Sequence, residues 1–381
     1  MVAKAAPRGD ERDERDPRNE RDPRVPSSRY ALLDPLRGVA ALTVVLDHAA
    51  AIKIGYHAVL VFFVISGYCI LAAAESGLRR GMSIAEYMRR RLRRIYPPYV
   101  ISVVFFAVTR LVKWRLGGAL DLAQRTPLMW LQTLTLTQWV SLVPQGADYP
   151  YNNPTLFVAA HWSLNYEEQF YLFVGLTMAL CARLRLSLRD VLLPFTVATL
   201  AVLAARPQLC VGFFVDYWPL FGVGVAVYYR LVGAREARVR RALDAALLAL
   251  LLVSAGLTWR GARAPERRYI WEDLLVGATV ALLLVGLKPY EARLMTWLPL
   301  RLLKKIGTVS YSLYLIHQFN INVVDALAGR AFSHARWPIA NVVTQLALHV
   351  ALASGFWWLF ERPFLNKPVD ATPPEPAPAM G

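Results

Sequence analysis

Apolar runs long enough to cross a bilayer recur along almost the whole chain, and nothing constrains its fold more. They lie near 33–52, 57–75, 96–112, 162–182, 190–205, 209–229, 242–259, 272–288, 306–326 and 340–360. In hydrocarbon every backbone N–H and C=O must find its partner within the protein, which leaves helices and closed barrels as the spanning structures. Runs of this length fit helices, since a spanning strand needs only about ten residues. The sequence therefore predicts an all-α, polytopic integral membrane protein of about ten transmembrane helices. A further stretch, 126–143, is apolar but short, and suits an interfacial or partly inserted helix.

The ends of the chain differ in character. Residues 1–29 form a charged, Pro-containing arm (ERDERDPRNERDPR) with almost no apolar content, and 366–381 a Pro-rich tail. Both compositions predict disorder, leaving 30–365 as the transmembrane domain. The arm is too polar for the n-region of a signal peptide. Only 18% of the residues are charged, against about a quarter in soluble proteins. Eleven Trp and 17 Tyr suit a chain with many membrane–water interfaces.

The net charge of +16 would raise nucleic acid as a partner in a soluble protein. Here it has a topological explanation. With the N-terminus inside, 30 of the 43 Lys and Arg fall on the cytoplasmic side and 11 on the other, while Arg37 and Arg110 fall within spans. The asymmetry predicts both termini in the cytoplasm and no nucleic-acid partner. The loop 259–271, with four Arg on the outer side, is the poor fit. Cys69, Cys181 and Cys210 lie in apolar stretches without metal-ligand spacing, so neither a disulfide nor a bound metal is expected.

Ionisable groups inside spans are costly and point to function. The first span carries Asp34, Arg37, Asp47 and His48. Eleven residues bring Arg37 and His48 back to one helix face, about 16 Å apart along the axis. Arg37 then sits at the cytoplasmic boundary and His48 towards the outer side. Snorkelling of Arg37 to the interface competes with a functional role. The segment HWSLNYEEQFY (161–171) sets Glu167 and Glu168 into an apolar helix. Asn165 and Glu168 have capping-box spacing, which makes Glu168 structural. Glu167, one turn from Ser163, has no such duty and is the candidate acid.

In the ninth span Ser310, Tyr314 and His317 recur as a polar stripe, with His317 at a depth comparable to His48. Finally, Arg89, Arg90, Arg91, Arg93 and Arg94 crowd a basic loop that ends at Pro97-Pro98. Orientation or anionic headgroups explain part of this loop. Five arginines in six positions point further, to a phosphate-bearing ligand held in bidentate fashion.

These constellations resemble the membrane-bound acyltransferase-3 family, which includes the O-acetyltransferases of bacterial surface polysaccharides. The matching pieces are Leu33, Asp34, Pro35, Leu36 and Arg37 followed by His48; VFFVISGY at 61–68; RRLRRIYPPY; HWSLNYEEQFY; VSYSLYLIH; and FERPF at 360–364. Two departures are Pro35 where the family commonly has Gly, and Leu60 where an Asp is usual. The resemblance implies a bacterial inner-membrane O-acyltransferase with cytoplasmic acyl-CoA, most often acetyl-CoA, as donor. The acceptor it implies is a hydroxyl of a sugar, glycan or exported metabolite.

On that footing His48 is the candidate general base or transient acyl carrier, with Glu167 or another acid orienting it. Arg37, Arg91 and Arg94 are the candidate phosphate-binding residues, and Ser163, Tyr314 and His317 the candidate acceptor contacts. A transporter or flippase using Arg37, His48 and Glu167 for protons or substrate is the rival. No internal repeat supports it.

Overall fold

A computed structural model describes residues 30–50, 53–117, 121–138, 156–205, 212–234, 236–261 and 268–365. The charged arm, the Pro-rich tail and Cys210 lie outside these residues. Every regular element among them is helical: α1 (Leu33–Ala50), α2 (Gly55–Arg79), α3 (Ile84–Arg115), α4 (Pro127–Thr135), α5 (Trp162–Leu184), α6 (Leu188–Ala205), α7 (Trp218–Tyr228), α8 (Ala237–Gly261), α9 (Arg268–Leu287), the single turn α10 (Glu291–Leu294), α11 (Leu298–Thr308), α12 (Ser310–Ala331) and α13 (Pro338–Phe356). Six stretches of the described residues are long and apolar enough to cross a membrane: α2, α3, α6, α8, α9 with its extension through α10, and α13 with its extension to Phe364. The chain is a polytopic membrane protein.

Helix α7 packs among α2, α6 and α9 and is buried along nearly its whole length. It lies against α2 with almost no space between backbones. A Cβ on Gly67 would stand 2.1 Å from the Phe221 carbonyl oxygen, and one on Gly224 would stand 2.0 Å from that of Val64. Helices in lipid gain no hydrophobic drive from one another, so contacts of this closeness carry their association. A second such contact joins α1 to α11, where Gly38 meets the Leu303 carbonyl and Gly307 meets that of Asp34. It fixes the stretch of α1 that carries Arg37. The periphery is apolar in stripes: Leu172, Leu176, Leu180 and Leu184 of α5 are all exposed at four-residue spacing, as expected of a lipid-facing side.

Four expectations need correction. The basic "loop" is the beginning of α3, capped by Ser83 Oγ on the Glu86 amide at 3.1 Å and continuous through Pro97 and Pro98. Those prolines deny donors to the carbonyls of Arg93 and Arg94, but each removes only one backbone bond from a helix packed on several sides. The ninth span is two helices, the amphipathic α11 and α12, parted at Val309. The sixth begins later than the expected 209, as a 3-10 turn (Phe214–Asp216) leading into α7. Lastly, α5 starts at Trp162, so Asn165 is inside the helix and cannot cap it. The expected interfacial segment is met in part by α4; residues 139–143 lie outside the described ones.

Candidate active site

Five helices converge on a narrow cavity of about 80 Å³. Arg37 of α1, Ser66 of α2, Arg91 and Arg94 of α3, Ser163 and Glu167 of α5, and Tyr314 of α12 all line it. Arg37 pairs with Asp34 at 3.8 Å, one turn back on α1, and feels the charge of Glu167. The Glu167 carboxylate accepts hydrogen bonds from Tyr171 Oη at 2.6 Å and Ser66 Oγ at 3.2 Å. Arg91 lies over the Tyr87 and Tyr171 rings, 5.6 and 5.8 Å from their centroids. Three guanidiniums lining one cavity, with Glu167 the one carboxylate among its lining residues, suit a phosphate or a developing oxyanion.

A second cavity, about 360 Å³, opens at the other end of α1. His48 lines it together with Asp47, Lys53, Tyr56, Trp162, Tyr314 and His317. The His48 and His317 rings lie 5.0 Å apart between centroids. His317 is buried, and its Nδ1 sits 2.8 Å from the Tyr314 carbonyl oxygen. A carbonyl only accepts, so in the neutral ring Nδ1 carries the hydrogen and Nε2 keeps its lone pair. That Nε2 has no protein partner among the described residues.

Tyr314 lines both cavities. Its hydroxyl donates to the Ala160 carbonyl, so Ser163 Oγ, 2.8 Å away, must donate to it. The two cavities meet at this bonded ring.

The candidates named from sequence therefore divide. Arg37, Arg91, Arg94, Ser163 and Glu167 share the narrow cavity, His48 and His317 share the wider one, and Tyr314 belongs to both. Glu167 does not face His48, because its described bonds run to Ser66 and Tyr171. Glu168, expected as a cap, instead takes the hydroxyl of Tyr96 and ties α5 to α3. Arg110, the other cation inside a span, bonds the Phe157 carbonyl at 2.9 Å and holds the segment leading into α5.

Three contributors escaped the sequence reading. Ser66 becomes visible only once α2 and α5 pack, whereas Tyr171 stands one turn from Glu167 on α5 and had the i, i+4 spacing as its signal. His349 of α13 had a signal, since Asn341, Gln345 and His349 repeat at four-residue spacing and all are buried. His349 adds a third imidazole within electrostatic reach of His48 and His317. Of the motif departures, Leu60 is fully buried and Pro35 sits in the first turn of α1, where proline is tolerated.

The acyltransferase domain of the acyltransferase-3 type matches residues 30–361, almost all of the chain. The chain belongs to the acyltransferase-3 family. It is a membrane acyltransferase. A protein of Komagataeibacter xylinus named as a membrane-bound transacylase, BcsY, is 29% identical over 313 residues, covering 79% of this chain and 75% of its own. The O-acetyltransferase OatA of Staphylococcus aureus is 30% identical over 152 residues, or 38% of this chain and 24% of OatA. A Rhizobium radiobacter protein encoded in the picA locus is 34% identical over 98 residues, 24% of this chain and 51% of its own. No solved structure matches the chain.

Proposed function

We infer that this acyltransferase takes an acyl group, in the first instance acetyl, from cytoplasmic acyl-CoA. It passes the group to a hydroxyl of a sugar, glycan or exported metabolite presented at the opposite face of the bacterial inner membrane. The observation that carries this reading is the pair of cavities meeting at Tyr314, one lined by arginines and the other by histidines. The topology expected from the Lys and Arg asymmetry, ten spans with both termini in the cytoplasm, supports an arginine end on the side where acyl-CoA is available.

Arg91, Arg94 and Arg37 hold phosphate oxygens and leave the pantetheine arm to run along α1 towards His48. About 16 Å of helix rise separates the two ends. His48, as general base, takes the proton of the acceptor hydroxyl while its oxygen attacks the thioester carbonyl. The tetrahedral intermediate collapses, the C–S bond breaks, and the departing thiolate receives the proton, giving an O-acyl ester and free CoA. His317, with its Nε2 lone pair beside His48, accepts the hydroxyl or relays its proton. Ser163 and Tyr314 position the acceptor. A transporter reading is set aside, since the chain belongs to an acyltransferase family.

Purified protein in lipid nanodiscs is expected to bind acetyl-CoA, and deletion of the gene to remove an acetyl group from a surface glycan or secreted metabolite, read by mass spectrometry. Absence of acetyl-CoA binding would overturn the donor assignment, and an unchanged acylation profile the acceptor assignment.

A further inference from the structure

The arginines at the start of α3 do not act as one cluster. At about 100° per residue, Arg91 and Arg94 turn inward to the narrow cavity while Arg89 and Arg93 turn outward and are exposed. The outward set lines a separate cavity of about 810 Å³ with Arg90, Arg362 and Trp358. Arg362 and Trp358 come from the far end of the sequence, where a π-turn (Trp357–Glu361) and a 3-10 turn (Arg362–Phe364) follow α13. Arg93 is joined to that segment by a 3.5 Å bond to the Pro363 carbonyl.

The charge is poorly compensated. Arg90 pairs with Glu86, but no carboxylate among the described residues pairs with Arg89, Arg93 or Arg362. Trp358 is 59% exposed at the edge of the same cavity. Three guanidiniums without a carboxylate partner among the described residues, beside an accessible indole, form a combination that binds a phosphate and stacks a flat heterocycle.

Size separates the two cavities as well: about 80 Å³ admits a thin chain, whereas about 810 Å³ has room for a nucleoside. They are lined from different faces of one stretch of α3, across a helix whose diameter is about 10–12 Å.

We propose that Arg89, Arg93 and Arg362, with Trp358, bind the 3′-phosphoadenosine end of the CoA thioester. Arg91 and Arg94 then hold the pyrophosphate and admit the pantetheine arm. The proposal rests on acyl-CoA being the donor.

The test compares acetyl-CoA with acetyl-3′-dephospho-CoA, using full-length protein in phosphatidylcholine nanodiscs. The native protein is expected to bind acetyl-CoA at least about tenfold more tightly than the dephospho analogue, the value of one charged phosphate contact. Arg93→Ala combined with Arg362→Ala brings that ratio close to one. Trp358→Ala weakens both ligands by a similar factor, and Arg91→Ala weakens both while keeping the ratio. Equal affinity of the native protein for the two ligands, or an unaltered ratio in the double variant, overturns the proposal and leaves the donor assignment standing. Binding of neither ligand overturns both. An unaltered ratio, with the melting temperature of the native protein but not of the double variant raised on replacing phosphatidylcholine by phosphatidylglycerol, makes the cavity a lipid-headgroup site and also overturns the proposal.

Discussion

His317 spends one ring nitrogen on its own helix and leaves the other free. The Nδ1 bond to the Tyr314 carbonyl fixes the tautomer, and the buried Nε2, without a protein partner among the described residues, is left for a group that enters the adjoining cavity, water or a substrate hydroxyl. A histidine that only joined two helices would use that nitrogen on its neighbour. His48→Ala is therefore expected to abolish acyl transfer with the protein still in the membrane fraction. His317→Ala should lower kcat by about 10²–10⁴, the usual worth of a positioned acid or base, with donor affinity unchanged. Kinetics with saturating acetyl-CoA distinguish the cases, and a fall in kcat of less than tenfold would reduce His317 to packing. At the other end, Arg91→Ala and Arg94→Ala should raise KM for the donor far more than they lower kcat, because they hold parts of the ligand that do not react. Unchanged donor kinetics would return those arginines to topology.

At the scale of elements, sequence patterns were legible where one helix carries the whole signal. Arg37 and His48 needed only the period of α1, and Ser310, Tyr314 and His317 only that of α12. The arginine run was misjudged because Pro97-Pro98 suggested an ending, whereas tertiary contacts carry α3 through it. Tyr311 Oη, for instance, bonds the Ile95 carbonyl at 3.0 Å, two residues before the first proline. The split of that run into inward and outward arginines follows from its being helical. Pairings between helices, such as Glu167 of α5 with Ser66 of α2, have no expression in a single sequence. The same holds for the glycine contacts that set helix spacing. Gly67→Ala and Gly224→Ala each drive a methyl group into the opposing backbone, so each should destabilise the protein by about 1–3 kcal/mol. Gly256→Ala and Gly286→Ala meet no atom within 4 Å and serve as controls. Thermal unfolding in detergent measures all four, and equal melting temperatures would show that α2 and α7 do not depend on this approach.

For the molecule as a whole, hydropathy alone recovers six spans, and the four expected spans it omits follow a pattern. Helix α1 carries Arg37 and His48, α5 carries Glu167, and α12 carries Tyr314 and His317, so the site itself lowers their apolar content. The fourth, α7, is only 11 residues long but buried on all sides. The polar helices thus turn their ionisable residues inward to the two cavities and their apolar stripes outward, and Tyr314 closes the line between the arginine and histidine cavities. Such a wall has a chemical purpose, because water reaching the thioester beside an activating base would compete with the acceptor hydroxyl. Tyr314→Ala opens the wall and removes the bonds to Ser163 and Ala160. It should increase release of free CoA thiol from acetyl-CoA several-fold without acceptor while lowering transfer with acceptor present. Tyr314→Phe keeps the ring and loses only the hydroxyl, so its thiol release without acceptor should remain at the native level even where transfer falls. Thiol titration of both variants in sealed proteoliposomes, with and without the acceptor glycan, reads the two rates together. Native hydrolysis in Tyr314→Ala would show that Tyr314 is not the barrier between the two ends of the site.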